Sequence, residues 1–264
     1  MCHKRKRYTS DLSREQWEKI KALLPLQRTG AGRPISINMK AAVNAMLYLV
    51  KTGCQWGNLP SHFPNANSVY YHYRKWCKDG TWERINRALR YLLRRQAGRC
   101  PHPSAAIMDS QSVKTTEVGG QRGYDAGKKV KGRKRHILVD TQGHLLQVVV
   151  HAADVQDRDG AKHLLAALSP MLRLRLLLIW ADGGYRGTLV DWCQEHFQIT
   201  LEIVLPAPHQ NGFQILPRRW VVERTFAWLG NYRRLSKDYE ECTRSSEGMI
   251  YLASIHSMLK RLVP

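Results

Sequence analysis

The hydrophobic period of this chain changes once, near residues 98–103, and that change limits what it can fold into. Before it, apolar residues recur at helical spacing; after it, they alternate as strands do, with helices interposed. Ser13-Arg14-Glu15-Gln16 has the form of a capping box and leads into Trp17, Ile20, Leu23 and Leu24, with Pro25 as the stop. A loop of Gly, Arg and Pro should run from Leu26 to Pro34. The next helix is expected over about residues 37–52, with a core pattern of Ala41, Val43, Ala45, Met46, Leu47, Leu49 and Val50 and Gly53 as its C-terminal cap. A third, capped by Asn67 or Ser68 and closed by Asp79-Gly80, mixes Tyr70, Tyr73 and Trp76 with Arg74, Lys75 and Lys78. Thr81 should cap a fourth, over about 82–96, with Ile85, Leu89, Leu92 and Leu93 on one side and Arg87, Arg90, Arg94 and Arg95 elsewhere. Gly98 to Pro103 has the composition of a linker. The expected division is therefore an all-helical part, residues 1–100, and a second part, residues 101–264.

Past the linker, Ala105 to Met108 forms a short strand leading to Asp109, and residues 133–140 and 145–152 form a hairpin about Thr141-Gln142-Gly143. A helix over about 160–168 should end at Ser169-Pro170. Residues 173–181 read as a buried strand that delivers Asp182, followed by a helix over about 188–197 and a strand over 199–205. The loop Pro206 to Pro217 has no regular pattern, and a helix bearing Glu223 comes after it. This order predicts an α/β sheet of mixed direction with helices packed on it.

Three carboxylates stand out by their surroundings. Asp109 follows Ala105-Ala106-Ile107-Met108, Asp182 follows Leu176 to Ala181, and Glu223 lies within Arg218-Arg219-Trp220-Val221-Val222-Glu223-Arg224-Thr225-Phe226-Ala227-Trp228-Leu229. An unpaired buried carboxylate is costly, so each should be paired, protonated or bound to a cation, and an oxygen-only ligand set suits Mg²⁺ or Mn²⁺. Ligands of such sheets collect at strand ends, where Asp182 is expected, and Gly183-Gly184 lets the chain turn there without an intervening side chain.

Charge narrows the partner. Lys and Arg number 42 against 21 Asp and Glu, a formal charge of +21 spread along the whole chain, which points to a polyanion and above all to nucleic acid. A helix, a turn and a short helix rich in aromatics and cations is what a helix-turn-helix module would place in a major groove, with Arg74, Lys75 and Lys78 as its contacts. The competing reading makes Tyr70, Tyr73 and Trp76 core and the cations a solvated face. The block Lys128, Lys129, Lys131, Arg133, Lys134 and Arg135 is expected on the DNA backbone near Asp109. The basic run Met1 to Arg7 could be a nuclear signal, an expression remnant or a phosphate-touching arm. Six cysteines without a Cys-x-x-Cys pair suggest reduced thiols in the cytoplasm, and no apolar run reaches the 18 or so residues of a membrane span. Asp154, Asp157 and Asp159 form a second acidic group in which Asp157 or Asp159 is better read as a helix N-cap than as a metal ligand. His136, His144 and His151 are expected to be satisfied structural residues, and Trp180, Trp220 and Trp228 to be core.

Four runs carry a resemblance. Met108-Asp109-Ser110-Gln111-Ser112-Val113-Lys114, Gly127 to His136, Ala181-Asp182-Gly183-Gly184-Tyr185-Arg186-Gly187 and Trp220 to Leu229 closely resemble bacterial insertion-sequence transposases of the DDE class, of the insertion sequence five group. The similarity continues through Gly53-Cys54-Gln55-Trp56 and Asp79-Gly80-Thr81-Trp82-Glu83-Arg84, so it spans nearly the whole chain. It implies an RNase H-like catalytic domain, α/β with a mixed sheet and flanking helices, behind an all-helical N-terminal DNA-binding domain. It further implies that Asp109, Asp182 and Glu223 hold two Mg²⁺ ions, with Mn²⁺ as a substitute, and that the interval from Asp182 to Glu223 leaves no room for the β domain some relatives insert there. The substrate so implied is double-stranded DNA, both terminal inverted repeats and target, handled by a homodimer because two ends must be brought together. Arg219, four residues before Glu223 as in related transposases, would hold a phosphate; the alternative is a surface i, i+4 couple with Glu223. Arg186 would join the DNA contacts.

One departure is notable. The family pattern is Gly-Arg-Tyr-Arg-Arg, and this chain has Gly230-Asn231-Tyr232-Arg233-Arg234. A missing cation there would weaken a phosphate contact, which keeps open a second reading: a DNA-binding derivative, repressor or domesticated, with impaired catalysis. A nuclease without strand transfer is not separated from the transposase by sequence.

Overall fold

The structure, a computed structural model, describes residues 7–25, 36–205 and 218–264. Residues 1–6 of the basic N-terminal run and the expected loops Leu26–Pro34 and Pro206–Pro217 lie outside the described residues.

The opening helices follow their caps. In α1 (Arg14–Lys21), Ser13 Oγ accepts from Gln16 N–H while the Gln16 side chain accepts from Ser13 N–H, completing the capping box. Asn38 caps α2 (Met39–Thr52), and Gly53, at φ 77, ends it in the left-handed conformation that glycine adopts without strain. The cap of α3 (Ala66–Lys78) is Asn65 rather than Asn67 or Ser68. At α4 (Thr81–Gln96) the expected cap Thr81 is already helical, and the capping oxygen is Asp79 Oδ1, which accepts from Thr81 N–H.

Beyond residue 100 the elements are β1 (Ala105–Lys114), β2 (Gly123–Asp125), β3 (Val130–Asp140), β4 (Leu145–Ala152), α5 (Asp157–Ala166), α6 (Pro170–Arg175), β5 (Leu178–Ala181), α7 (Thr188–Phe197), β6 (Thr200–Ile203), α8 (Trp220–Gly230) and α9 (Thr243–Leu262). Two expectations are corrected here. β1 does not stop at Asp109 but runs five residues past it, because the chain stays paired with β3 from Ala106↔Asp140 to Lys114↔Gly132. The helix before Ser169-Pro170 does end there, at Ala166, but Pro170 also starts another: at the first helical position its missing N–H has no partner to lose, so residues 170–175 are helical and the strand begins only at Leu178, not at 173.

β4 pairs with β3, β3 with β1, and these pairings are antiparallel; β1 pairs with β5 and β5 with β6 in parallel, while β2 pairs with the first residues of β3. The result is a sheet of mixed direction with helices packed on it, as the order of elements predicts. Alternation along β1 divides the core into two layers. Ala106 and Met108 face α5 and α7 through Leu164, Leu165, Leu189 and Cys193. Ile107 faces α8, α9 and the N-terminal helices, in one apolar cluster that runs from Leu12 and Val43 through Val222 to Leu259. No expected element corresponds to α9. Buried at Gly248 through Ile255 and again at Met258 and Leu259, it is apolar on nearly every side, and a helix of that kind displays no amphipathic period. It contacts α1, α2, α3, α4, α8 and β4, so the helices before residue 100 complete their core with the last helix of the chain. Each fully buried Leu, Ile or Met there contributes roughly 1.5–3 kcal/mol.

Candidate active site

Sheet and α8 together converge the three singled-out acids. Asp109 lies mid-strand on β1 opposite Ile137, on the same face as Ile107. Its Oδ1 accepts from the N–H of Ser110 at 2.7 Å. Asp182 follows the last residue of β5 and caps the short 3-10 turn Gly183–Tyr185, with Oδ1 accepting from Gly184 N–H at 2.9 Å. Glu223 is in the first turn of α8, half exposed at 53%.

One atom links all three. Arg219 Nη2 lies 3.8 Å from Asp109 Oδ2, 3.6 Å from Asp182 Oδ2 and 3.6 Å from Glu223 Oε1. None of the three is a close ion pair, so a single guanidinium nitrogen is shared among three negative charges. The preceding Arg218 has φ 70, unusual for a residue with a Cβ, and its guanidinium stacks 4.2 Å above the Trp180 ring. The Arg219 Nε is buried without a partner. Burial pushes the Asp109 carboxyl up to about 6, and Asp182 adds to that; the Ser110 N–H, Arg219 and Lys128 pull it partly back. The donors are therefore of the kind a hard divalent cation takes, namely carboxylates, one of them buried and short of positive charge. Their present spacing is that of ligands around a guanidinium. Among the described residues no group of three or more His, Cys, Asp or Glu side chains is arranged to hold a metal ion as it stands.

The cations divide into two groups. Lys128, Lys129 and Lys131 are exposed at the turn from β2 into β3, and Lys128 Nζ donates to Ser110 O at 3.1 Å, beside Asp109. Arg186 is exposed, folded over Gly183 next to Asp182. Arg133, Lys134 and Arg135 do not reach the surface, which corrects the expectation that places them on DNA. They are 1%, 5% and 4% exposed, because β3 is covered on both faces. Arg133 pairs with Asp238 at 3.2 Å and donates to Glu240 O, Glu241 O and Ser246 Oγ. Lys134 pairs with Asp157 at 3.0 Å and Asp125 at 3.5 Å. Arg135 donates to Leu235 O and Lys237 O. On α3, Val69, His72, Tyr73 and Trp76 are buried, whereas Tyr71 and Arg74 are exposed. Arg74, Lys75 and Lys78 line an open concavity of about 640 Å³ with Tyr70 and Tyr71. Tyr73 and Trp76 are thus core and Tyr70 is half-buried, while Arg74 and Lys78 lie on the open side of the helix.

Other expectations shift as well. Neither Asp157 nor Asp159 caps α5: Gln156 holds the cap position without a side-chain bond, and Asp157 turns inward to Ser110 Oγ at 2.9 Å. Trp180 is core, but Trp220 is 40% exposed and Trp228 half-buried, with the Arg224 guanidinium 4.4 Å from each ring. His136, His144 and His151 are buried, His136 bonded to His151 at 2.8 Å and His144 to Asp140. Arg94, read as lying off the apolar face, is buried in an ion pair with Asp140 at 2.6 Å. The acidic partners Asp140 and Asp238 lie far along the chain from Arg94 and Arg133, so no local spacing could have revealed them. Among the described residues no helix is long and apolar enough to cross a membrane.

Residues 101–258 match the family described as "Transposase DDE domain", and residues 12–86 match that described as "Putative transposase of IS4/5 family". The "Putative transposase for insertion sequence element IS402" of Burkholderia cepacia is 32% identical over 120 residues, which cover 41% of this chain and 54% of that protein. The "Insertion element IS402 uncharacterized 16.2 kDa protein" of the same organism is 29% identical over 115 residues, 41% of this chain and 76% of that one. The chain therefore spans about half the length of the first of these relatives. The "Crystal structure of the Mos1 mariner paired end complex with Mn" aligns over 94% of this chain and 84% of that one at 12% identity and a TM-score of 0.31, too remote to bear on either fold or function. Because the matched DDE region occupies more than half of its residues, this chain belongs to the transposase DDE-domain family.

Proposed function

We propose that the protein is a transposase that cuts the ends of an insertion sequence and joins them to target DNA, with Asp109, Asp182 and Glu223 holding two divalent cations, Mg²⁺ or Mn²⁺ in its place. The observation that carries this reading is the shared contact of Arg219 Nη2 with three carboxylates from two strands and a helix. When bound, such ions polarise a water or a 3′-hydroxyl for attack at phosphorus and steady the leaving oxygen. The chain's own residues do the rest. Asp109 is held in register by β3 and oriented by the Ser110 N–H. Arg219 stands at the head of α8, where backbone N–H groups favour an anion, and is free to exchange its carboxylates for a DNA phosphate once another cation serves them.

DNA would approach over the exposed Lys128, Lys129, Lys131 and Arg186, while Arg74, Lys75 and Lys78 on α3 would lie against a second stretch of duplex. In this reading residues 1–100 bind DNA and residues 101–264 carry catalysis, with two copies handling the two ends. The impaired-derivative reading rests on Asn231 alone. That residue stands at the C-cap of α8, eight residues or about 12 Å of helix rise beyond Glu223, and its carbonyl accepts from Lys51 Nζ at 2.8 Å. Its placement favours an effect on DNA grip over an effect on chemistry.

The test is nicking of terminal-repeat DNA in Mg²⁺ by the parent and by Asp109→Ala, Asp182→Ala and Glu223→Ala. Cutting should vanish in each variant while DNA binding stays within a few-fold. A Glu223→Ala protein that cuts like the parent would end this assignment.

A further inference from the structure

The Asp157 carboxylate is divided between two directions. Its Oδ1 accepts from Ser110 Oγ at 2.9 Å and lies 3.0 Å from Lys134 Nζ and 3.6 Å from His136 Nε2. Its Oδ2 turns toward Gly184, 3.5 Å from the point where a Cβ on that glycine would stand, and Asp182 Oδ1 lies 3.1 Å from the same point. The missing side chain at 184 thus lets both carboxylate oxygens come close to one point.

Two buried side chains beside Asp157 and Asp182 carry a polar atom without a well-formed hydrogen bond. One is the Tyr185 hydroxyl, in a residue 1% exposed. The other is His136 Nε2, in a residue wholly buried. Native interiors leave few such atoms unpaired, and those that remain mark places where water or an ion belongs. A cleft of about 550 Å³ is lined by Asp157, Lys134, Arg158, Gly183, Gly184 and Arg186. Capping does not account for Asp157, since the cap of α5 is Gln156.

We propose that Asp157 is a fourth acidic residue of the metal centre, its Oδ2 holding water of the divalent cation bound at Asp182 while Ser110 and Lys134 fix its Oδ1. The inference rests on the reading of Asp109, Asp182 and Glu223 as metal ligands. Mg²⁺ and ions like it keep several waters when few carboxylates bind them, and residues that grip the ligand shell from outside change metal affinity about 10–100-fold.

The experiment is calorimetric titration of Mn²⁺ into the full chain without DNA, for the parent, Asp157→Asn, Asp154→Asn and Asp182→Asn. Asp157→Asn keeps an oxygen for Ser110 and loses the anionic Oδ2; it should weaken Mn²⁺ about tenfold. Asp154→Asn removes the same charge from the rim of the same cleft and should change affinity less than about twofold. Unchanged affinity in Asp157→Asn, or equal weakening by both, overturns the proposal. If the parent binds no Mn²⁺, or Asp182→Asn binds it as the parent does, the metal reading itself falls. Should Asp157→Asn melt well below the parent, Asp157→Glu replaces it: a tenfold loss with the charge kept supports a placed oxygen, and no loss overturns it.

Discussion

Arg219 Nη2 faces Glu223 Oε1 at 3.6 Å, four residues along the chain, and the same nitrogen reaches Asp109 and Asp182. As a simple surface couple the pair would be worth a few tenths of a kcal/mol. Shared among three acids, the guanidinium instead stands where, on the reading proposed above, a divalent cation would bind.

Removing it should separate two roles. In Arg219→Gln, Mn²⁺ should bind several-fold more tightly, since its competitor is gone, while DNA cutting falls by about 10²-fold, the usual cost of losing a group that steadies transition-state charge. Calorimetry and a nicking assay on the same preparation read both. Loss of cutting with weaker metal binding would mean that Arg219 only holds the acids in place.

The basic block on β3 should show the same division. Lys128→Ala and Lys131→Ala should leave stability within about 0.5 kcal/mol but weaken DNA binding and lower its salt slope by about one each. Arg133→Ala strands Asp238 in the core and should cost about 3–5 kcal/mol in urea unfolding. A stable Arg133→Ala protein would contradict its placement.

A pH dependence follows from Glu247 on α9. Burial pushes its carboxyl up to about 7, with Glu83 adding repulsion, against relief from the Val150 N–H and from Arg244. A carboxyl raised in the folded state favours folding most where it is protonated in both states. Its contribution is full below about 4.5 and is lost as pH rises through about 7, a difference on the order of 3 kcal/mol. Glu247→Gln, which can still accept from Val150, should be the more stable protein at pH 8 and equal to the parent near pH 4.5, as judged by chemical denaturation at both values.

At Gly248, an added Cβ would stand 2.4 Å from Cys77 Sγ and 3.0 Å from Tyr73 Oη, and Tyr73 is tied by its hydroxyl to Ser245 O. Gly248→Ala should therefore destabilise by about 1–3 kcal/mol despite its better helix propensity. Adding Cys77→Ala should recover most of the lost melting temperature.

Local chemistry was legible in the sequence where it acts over a few residues. The Ser13–Gln16 box, the Gly53 stop, the β3–β4 hairpin and α7 all emerge as their spacing indicates. So did the acids, because Asp109 and Asp182 interrupt apolar runs, an expense that demands a partner. Residues 173–177 fall outside the strand expected over 173–181 because a long apolar stretch fits either a strand or a short helix before a strand, and only Pro170 at the first helical position separates them.

Sequence by itself therefore determined the mixed α/β class, the Ser13–Gln16 box, the Gly53 stop and the β3–β4 turn, and which three acids needed explaining, since each follows from neighbours along the chain. Tertiary structure decided that those acids meet at Arg219, that Arg133, Lys134 and Arg135 are internal, that Asp157 turns to Ser110 and Lys134 instead of capping a helix, and that α9 closes a core with the first helices. The physical reason is the same in each case. A buried charge is settled by whichever opposite charge or donor lies nearest in space, and for Arg133 and Asp238, or Arg94 and Asp140, that partner is distant in sequence.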